Sequence, residues 1–258
     1  MGKQTVFDHH TAFDIIGDVH GCFEELVELL LKLGYEIDET KKSKYGYKVK
    51  NPRGRRVVFV GDICDRGPQI VKSFRLVMTM VEENQALMIL GNHEAKLIKK
   101  LNGRHVQVTH GLENTMEELE KEPKAFVDEV HRFLEQLPIQ LVLDQGRLIV
   151  AHAGLPEKYH GKSAPSITRF ALYGDVSGKR DEHGLPIRRD WSLNYRGDAI
   201  VVYGHVPREE PYISNNTYGI DTGCVFGGYL TALRYPEMEL VKVKAKKVYS
   251  PHVYLKFD

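Results

Sequence analysis

Five short segments place side chains that bind metal ions next to glycine. They are Gly-Asp-Val-His-Gly at 17–21, Gly-Asp-Ile-Cys-Asp-Arg-Gly at 61–67, Gly-Asn-His-Glu at 91–94, His-Ala-Gly at 152–154 and Gly-His at 204–205. Their carboxylate, amide and imidazole groups are donors that suit a pair of divalent cations binding a phosphate. The pattern predicts a phosphoesterase with two metal ions.

An apolar run rich in β-branched residues leads into each of these segments. The runs cover 13–16, 57–60, 87–90, 148–151 and 200–203. Such runs are typical of buried strands, so each candidate ligand comes just after the carboxyl end of a strand, where open α/β sheets bind their ligands. For one segment alone, a turn or a strand-end histidine is the commoner explanation. One binuclear site explains all five together.

The order of these motifs resembles that of the calcineurin-like metallophosphoesterases, in their phosphoprotein phosphatase branch. Within it, the chain is most similar to the phosphatase module of bacterial polynucleotide kinase-phosphatase and to the stand-alone bacterial asymmetric bis(5′-nucleosyl)-tetraphosphatases. The closer similarity rests on 13–34, 101–103, 109–112, 172–175, 186–191 and 220–227. The resemblance implies an α/β fold in which two sheets pack face to face between outer helices, giving four layers, α/β/β/α.

The resemblance also implies a ligand set for two divalent metal ions. The first ion would be bound by Asp18, His20 and Asp62, and the second by Asp62, Asn92, His152 and His205. Asp62 would then bridge the two ions, and a hydroxide shared between them would attack phosphorus. Mixed oxygen and nitrogen ligands permit manganese, iron, zinc, nickel or cobalt, and we expect manganese.

The remaining catalytic roles are also implied by the resemblance. His93 would protonate the departing oxygen, Asp65 would orient the His93 ring, and Arg66 would bind phosphate oxygens. Family members carry a second phosphate-binding arginine; Arg188 and Arg189 both lie in its window, and Arg188 is preferred.

Three other acidic residues near the motifs are assigned structural roles. Glu94 begins a predicted helix, where a carboxylate favours the helix dipole, so it is left outside the catalytic set. Asp175 and Asp221 lie next to or near glycine and are interpreted as turn formers.

Length and composition are those of a compact enzyme. Ligands as far apart in sequence as Asp18 and His205 must meet, so we expect residues 1–258 to form a single domain. The chain is 42% hydrophobic but has no apolar stretch of membrane-spanning length and no signal-like amino terminus, which predicts a cytoplasmic protein without membrane partners. The net charge of +1 argues against a general nucleic-acid binder.

Helical patterns separate the predicted strands. Apolar spacing predicts helices over 22–33, ending before Gly34, and over 70–83. The charged stretch at about 113–137 predicts two helices broken at Pro123, which form an insertion that is either a cap beside the site or a solvated helical pair. Strand-like segments over 212–243 predict a second sheet.

One strongly basic segment departs from the neutral balance. Residues 41–56 contain eight lysines and arginines and no acid, with Tyr45 and Tyr47 between them. The turn-like residues at 51–54 predict a hairpin that leads into the Val57 strand. This hairpin either tracks a polynucleotide backbone and stacks a base, or is a solvated edge whose lysines block strand pairing.

Several functions fit this sequence. The preferred one is a phosphatase acting on phosphate monoesters, with nucleotides or polynucleotide ends as candidate substrates and RNA-repair kinase or ligase modules as candidate partners. The alternative is an asymmetric diadenosine tetraphosphate hydrolase. A protein serine/threonine phosphatase ranks third. An inactive binding scaffold is the hypothesis from a different class, and the intact ligand set argues against it.

Overall fold

Two mixed β-sheets form the framework of the protein in a computed structural model, which describes residues 6–8, 12–52, 54–182 and 186–251. The strands of the six-stranded sheet are β1 (Val6–Asp8), β7 (Gln140–Leu143), β8 (Leu148–Ala151), β11 (Ile200–Tyr203), β12 (Tyr212–Ser214) and β13 (Thr217–Gly219). Their order is β1-β7-β8-β11-β13-β12. The strands of the five-stranded sheet are β2 (Phe13–Ile16), β5 (Arg56–Phe59), β6 (Ala86–Met88), β14 (Tyr229–Tyr235) and β15 (Glu239–Lys244), in the order β15-β14-β2-β5-β6.

The parallel strands of each sheet position the site. In the five-stranded sheet β2, β5 and β6 are parallel neighbours, and in the six-stranded sheet β8 and β11 are parallel neighbours. These are the five strands that the sequence predicted to precede the ligand segments, within one or two residues at their ends. Their carboxyl ends therefore deliver all five segments to the same edge of the molecule.

The two sheets pack face to face through apolar side chains. Phe13, Ile15 and Val58 from one sheet share a buried cluster with Leu148 and Val202 from the other. The outer face of the five-stranded sheet is covered by the helices α1 (Phe23–Lys32) and α2 (Ile70–Glu82). The outer face of the six-stranded sheet is covered by α6 (Pro165–Tyr173) together with Trp191 and Tyr195. The predicted α/β/β/α layering is confirmed.

Three further helices lie between β6 and β7 along the chain. They are α3 (Asn92–Leu101), α4 (Leu112–Glu120) and α5 (Lys124–Gln136). The two helices α4 and α5 are separated at Pro123, as the sequence predicted, and α5 begins directly after it. Helix α4 packs against α2, and α5 packs against α3. The pair is thus packed on the body of the protein through α2 and α3.

The basic segment differs from its prediction. The hairpin pairs β3 (Glu36–Glu39) with β4 (Tyr47–Lys50), so the connection lies at 40–46 and not at 51–54. The Tyr45 and Tyr47 side chains are buried against the core, so they are not available to stack on a base. The acidic strand β3 was not predicted, because its polar residues show no alternation of apolar and polar side chains. Arg53 lies outside the described residues.

The predicted second sheet over 212–243 is also corrected. Strands β12 and β13 join the six-stranded sheet, whereas β14 and β15 join β2 in the other sheet. A second hairpin, β9 (Val176–Arg180) with β10 (Pro186–Arg188), was not predicted. None of the helices among the described residues has the length and apolar character needed to cross a membrane.

Candidate active site

The predicted ligands meet at the seam between the two sheets. Asp18, Asp62 and Asn92 come after the strands β2, β5 and β6 of one sheet, and His152 and His205 come after β8 and β11 of the other. The backbone N–H of His205 donates to both carboxylate oxygens of Asp18, at 3.2 and 3.0 Å, although these residues are 187 positions apart. The sequence-predicted convergence is therefore present.

One group of donor atoms surrounds Asp62 on the side of the six-stranded sheet. His152 Nε2 lies 3.3 Å from Asp62 Oδ2, 2.8 Å from Asn92 Oδ1 and 3.1 Å from His205 Nδ1. His205 Nε2 is buried and has no hydrogen-bond partner among the described residues. This group contains all four residues that the sequence assigned to the second ion.

A second group of donor atoms includes the same carboxylate oxygen. His20 Nε2 is 3.7 Å and His93 Nε2 is 3.9 Å from Asp62 Oδ2. These atoms are close enough to share one ion, as are those of Asp62, His152 and His205. Asp62 belongs to both groups, which fits its predicted bridging position. Geometry alone places His93 in this group, where the resemblance placed Asp18.

Backbone carbonyls fix the ring orientation of two histidines. His20 Nδ1 donates to Cys64 O at 2.7 Å, and His152 Nδ1 donates to Val60 O at 2.8 Å. In this tautomer the Nε2 atom of each ring presents a lone pair to the site, as in most metal-binding histidines. In His152 that lone pair faces the oxygens of Asp62 and Asn92, an arrangement that a cation would stabilise.

The charges of the site also fit cations. Burial raises the pKa of Asp18 well above its usual value, and the neighbouring carboxylates Asp221 and Asp62 raise it further. Burial opposes ionisation of Asp62, yet His152 and His93 hold its pKa well below the usual value. Burial also opposes charging of His152, but Asp62 raises its pKa. Carboxylates this close repel each other, and divalent cations between them remove that repulsion.

A short chain of hydrogen bonds orients the predicted general acid. His93 Nδ1 donates to Asp65 Oδ2 at 2.5 Å, so Nε2 faces the cleft. Asp65 is fully buried and accepts a second hydrogen bond from the hydroxyl of Thr115 on α4, also at 2.5 Å. The predicted pairing of His93 with Asp65 is present, and the helical insertion supports it. Sequence reasoning missed Thr115 because it lies fifty residues from its partner.

Two arginines reach the cleft, as the sequence predicted. Arg66 Nη1 donates to His20 Nε2 at 2.5 Å, and burial and this guanidinium together lower the pKa of His20 well below its usual value. Arg188 is mostly buried, lines the cleft, and donates to Tyr173 O. Arg189 instead is exposed and pairs with Asp175 at 3.3 Å. Arg188 is thus the one of the two that faces the site.

The backbone of the site is strained. Five site residues adopt positive φ although they are not glycine: His20, Asp62, Asp65, Arg66 and His205, with φ of 43°, 49°, 70°, 69° and 71°. Such conformations cost about 1–3 kcal/mol each and cluster at functional sites. Gly204 permits a close approach, because a Cβ there would overlap Asp18 Oδ1.

Glu94 holds this strained loop in place. Its carboxylate accepts hydrogen bonds from the backbone N–H groups of Asp62 (2.8 Å), Ile63 (2.8 Å), Cys64 (3.2 Å) and Gly91 (3.1 Å). The sequence interpretation, which gave Glu94 only an effect on the helix dipole, was therefore incomplete. Asp221 accepts from Gly223 N at 3.0 Å, as expected of a turn former, but it also lines the cleft. Burial raises its pKa to about 6.

The cleft beside these residues has a volume of about 290 Å³. The Asp62 and His205 side chains line its floor, and Tyr173 and Phe226 supply aromatic walls. Three cationic side chains line it: Arg66, Lys96 and Arg188. The arrangement can bind a phosphate at the floor and further negative charge along the walls.

The family model for calcineurin-like phosphoesterases matches residues 11–241. The chain belongs to this family. As a calcineurin-like phosphoesterase it is a metal-dependent hydrolase of phosphate esters. The comparison confirms the predicted family and reaction class.

The chain is also similar, over nearly its whole length, to individual members of this family. The chain is 46% identical over 250 residues to the asymmetrical bis(5′-nucleosyl)-tetraphosphatase PrpE of Anoxybacillus flavithermus, covering 95% of this chain and 99% of that protein. It is 43% identical over 247 residues to the PrpE of Bacillus cereus, covering 94% of this chain and 98% of that one.

Solved structures support the fold of this calcineurin-like phosphoesterase. The crystal structure of a candidate diadenosine tetraphosphatase superimposes with a TM-score of 0.66 at 24% identity, covering 94% of this chain and 98% of that one. A protein serine/threonine phosphatase from Saccharomyces cerevisiae superimposes with a TM-score of 0.61 at 15% identity, covering 98% of this chain and 86% of that one.

Proposed function

We propose that this chain is an asymmetric bis(5′-nucleosyl)-tetraphosphate hydrolase, which cleaves a dinucleoside tetraphosphate into a nucleoside triphosphate and a nucleoside monophosphate. The observation that carries the proposal is the identity of 43–46% to asymmetrical tetraphosphatases over nearly the whole of both chains. The cleft supports it, because its three cationic side chains, Arg66, Lys96 and Arg188, can together neutralise more than one phosphate.

The preferred sequence hypothesis, a phosphatase for nucleotides or polynucleotide ends, stands second. The same floor and arginines accommodate a phosphate monoester, so the two activities use one site. However, the basic hairpin was the feature that favoured polynucleotides, and its tyrosines are buried and its Lys50 pairs with Glu36 at 2.8 Å. The dinucleotide proposal therefore takes first place.

Two divalent cations fit the donor set. We assign Asp18, His20 and Asp62 to one and Asp62, Asn92, His152 and His205 to the other, because the facing nitrogens of His152 and His205 and the crowded carboxylates call for positive charge. When bound, the cations polarise the phosphate and acidify water. Manganese is the proposed metal. A cytoplasmic location and RNA-repair kinase or ligase partners stay predictions from the sequence.

The protein residues perform the other parts of the reaction. Arg66 and Arg188 bind non-bridging oxygens and orient the phosphate. His93 donates a proton from Nε2 to the departing oxygen, while Asp65 keeps the Nδ1 proton in place.

A substrate panel tests the proposal. Purified protein supplied with manganese is assayed on diadenosine tetraphosphate, p-nitrophenyl phosphate and phosphorylated oligonucleotides. We expect ATP and AMP as products from the dinucleotide, with kcat/KM ~10-fold or more above that for p-nitrophenyl phosphate, a difference of about 1.4 kcal/mol. Formation of ADP alone, or cleavage restricted to the oligonucleotide phosphates, would refute it. Lower activity with manganese than with zinc or nickel would refute the metal assignment.

A further inference from the structure

A cationic cluster lies on one side of the general acid. Lys96 lies three residues after His93 on α3, so both side chains project from the same face of the helix. Lys96 Nζ donates to Thr109 O at 2.7 Å and to Thr109 Oγ1 at 3.2 Å, which uses two of its three N–H donors. It forms no ion pair in the described part of the chain, although Glu113 and Asp65 are near enough to influence its charge.

His110 extends this cluster along the lining of the cleft. It comes directly after Thr109, adopts a φ of 62°, and lines the same cleft as Lys96 and His93. The next residue, Gly111, accepts a hydrogen bond from Arg66 N at 3.2 Å, and a Cβ on Gly111 would overlap the Arg66 backbone. Burial lowers the pKa of His110, and so do the positive charges of Lys96 and Arg66. These groups are therefore close enough to act on one ligand.

Arg188 occupies another part of the cleft lining. It lies beside His205, and one of its nitrogens is already engaged by Tyr173 O. Lys96 and His110, in contrast, adjoin the side chain that protonates the departing oxygen. Negative charge develops on the departing group, so the Lys96 ammonium and a hydrogen bond from the His110 ring stabilise the transition state there.

We propose that Lys96 and His110 form a subsite for the polyphosphate of the leaving group, so that a nucleoside triphosphate departs and the phosphorus bonded to the other nucleoside is attacked. The inference rests on the proposed function. A water oxygen bonds to the phosphorus next to one nucleoside, and the bond from that phosphorus to its bridging oxygen breaks. The bridging oxygen keeps the electron pair and receives a proton from His93 Nε2, while the water proton passes to solvent. The products are a nucleoside monophosphate, which contains the oxygen from water, and a nucleoside triphosphate, which does not.

Hydrolysis in water labelled with the heavy oxygen isotope reports the position of attack. Diadenosine tetraphosphate is cleaved by the wild-type protein with manganese, and both products are weighed by mass spectrometry. We expect the label in AMP. Label in the terminal phosphate of ATP would overturn the inference while leaving the proposed function intact. Failure of the wild-type protein to cleave the dinucleotide, with p-nitrophenyl phosphate still cleaved, would refute the proposed function instead.

A matched pair of lysine variants tests the subsite. Lys96→Met removes the charge from the cleft, and Lys99→Met removes one from the exposed face of the same helix. We expect Lys96→Met to lower kcat/KM on diadenosine tetraphosphate ~10-fold or more beyond its effect on p-nitrophenyl phosphate, since a hydrogen bond to a charged group is lost. Lys96→Arg should restore part of that ratio. An equal loss on both substrates, or the same ratio in Lys99→Met, would contradict the assignment; melting temperatures of all three variants verify folding.

Discussion

Two regions of this molecule carry clustered positive charge, and they use it differently. The segment at 41–56 has the higher density of lysine and arginine, but its charges meet partners: Lys50 pairs with Glu36, Lys44 with Glu82, and Arg55 with buried Asp14. The cleft has fewer cations, and Arg66, Lys96 and Arg188 all line it. The difference teaches that the density of charge along a sequence says little about function until the partners of each charge are known.

The largest effect should come from the carboxylate at the centre of the cleft. Asp62→Asn removes the charge shared by the two groups of donor atoms, so we expect turnover to fall ~10³-fold or more, about 4 kcal/mol, with loss of at least one tightly bound ion. Metal analysis and kinetics with added manganese measure both. A variant that keeps two ions and full turnover would show that metal binding and catalysis in the cleft do not depend on the Asp62 charge.

His93→Ala should give the next largest effect. Removal of a general acid costs typically ~10²–10⁴-fold, and the loss should be greater on alkyl phosphates than on p-nitrophenyl phosphate, whose leaving group needs no proton. Metal content should stay at the wild-type level. Equal losses on the two substrates would contradict the role of His93.

Arg55→Met should affect stability more than activity. The guanidinium has 10% of its side-chain surface exposed and pairs with Asp14, which is fully buried. We expect a decrease of about 3 kcal/mol in the free energy of unfolding, at the low end for a broken buried pair, because Arg234 and Tyr35 still hydrogen-bond to Asp14. Denaturant titration measures it, and Lys50→Met is the exposed control. Equal stability of the two variants would show that Arg55 is not a structural cation.

The smallest effect should come from a double change in the basic hairpin. Lys48→Ala with Lys50→Ala removes two exposed charges that face Asp38 and Glu36 across the strand pair. We expect kcat/KM on diadenosine tetraphosphate and on phosphorylated oligonucleotides to stay within about twofold of wild type, since exposed pairs contribute roughly 0–1 kcal/mol. A selective loss on oligonucleotides that grows weaker at high salt would return the hairpin to a nucleic-acid role.

The sequence was most informative at strands whose apolar pattern also fixes where the following residues lie in the fold. Apolar runs before Asp18, Asp62 and His152 predicted both the strands and the ligand positions, because neighbouring parallel strands bring the residues after their carboxyl ends to one edge of the sheet. The acidic strand at 36–39 has no apolar alternation, so its pairing with 47–50 could not be predicted. A strand of this kind is stabilised by its partner and not by its own propensity.

Contacts between distant residues account for the other omissions. Thr115 and Glu94 act on Asp65 and on the backbone at 62–64, which lie roughly thirty to fifty residues away. His110 lies in the 109–112 segment that the resemblance includes, but its place beside Lys96 depends on how the α3–α4 connection folds back, as the hydrogen bond from Lys96 to Thr109 shows. A single sequence contains no local signal for such contacts.

The position of the donor atoms at the seam has a mechanical consequence. Asp18, Asp62 and Asn92 extend from one sheet and His152 and His205 from the other, so cations held by these residues would fasten the two halves of the sandwich together. Ions that bind only the folded chain would raise its free energy of unfolding by about 2.7 kcal/mol at a hundredfold excess over Kd. A chelator would then loosen the architecture as well as stop turnover, and the melting temperature would register metal occupancy without any substrate.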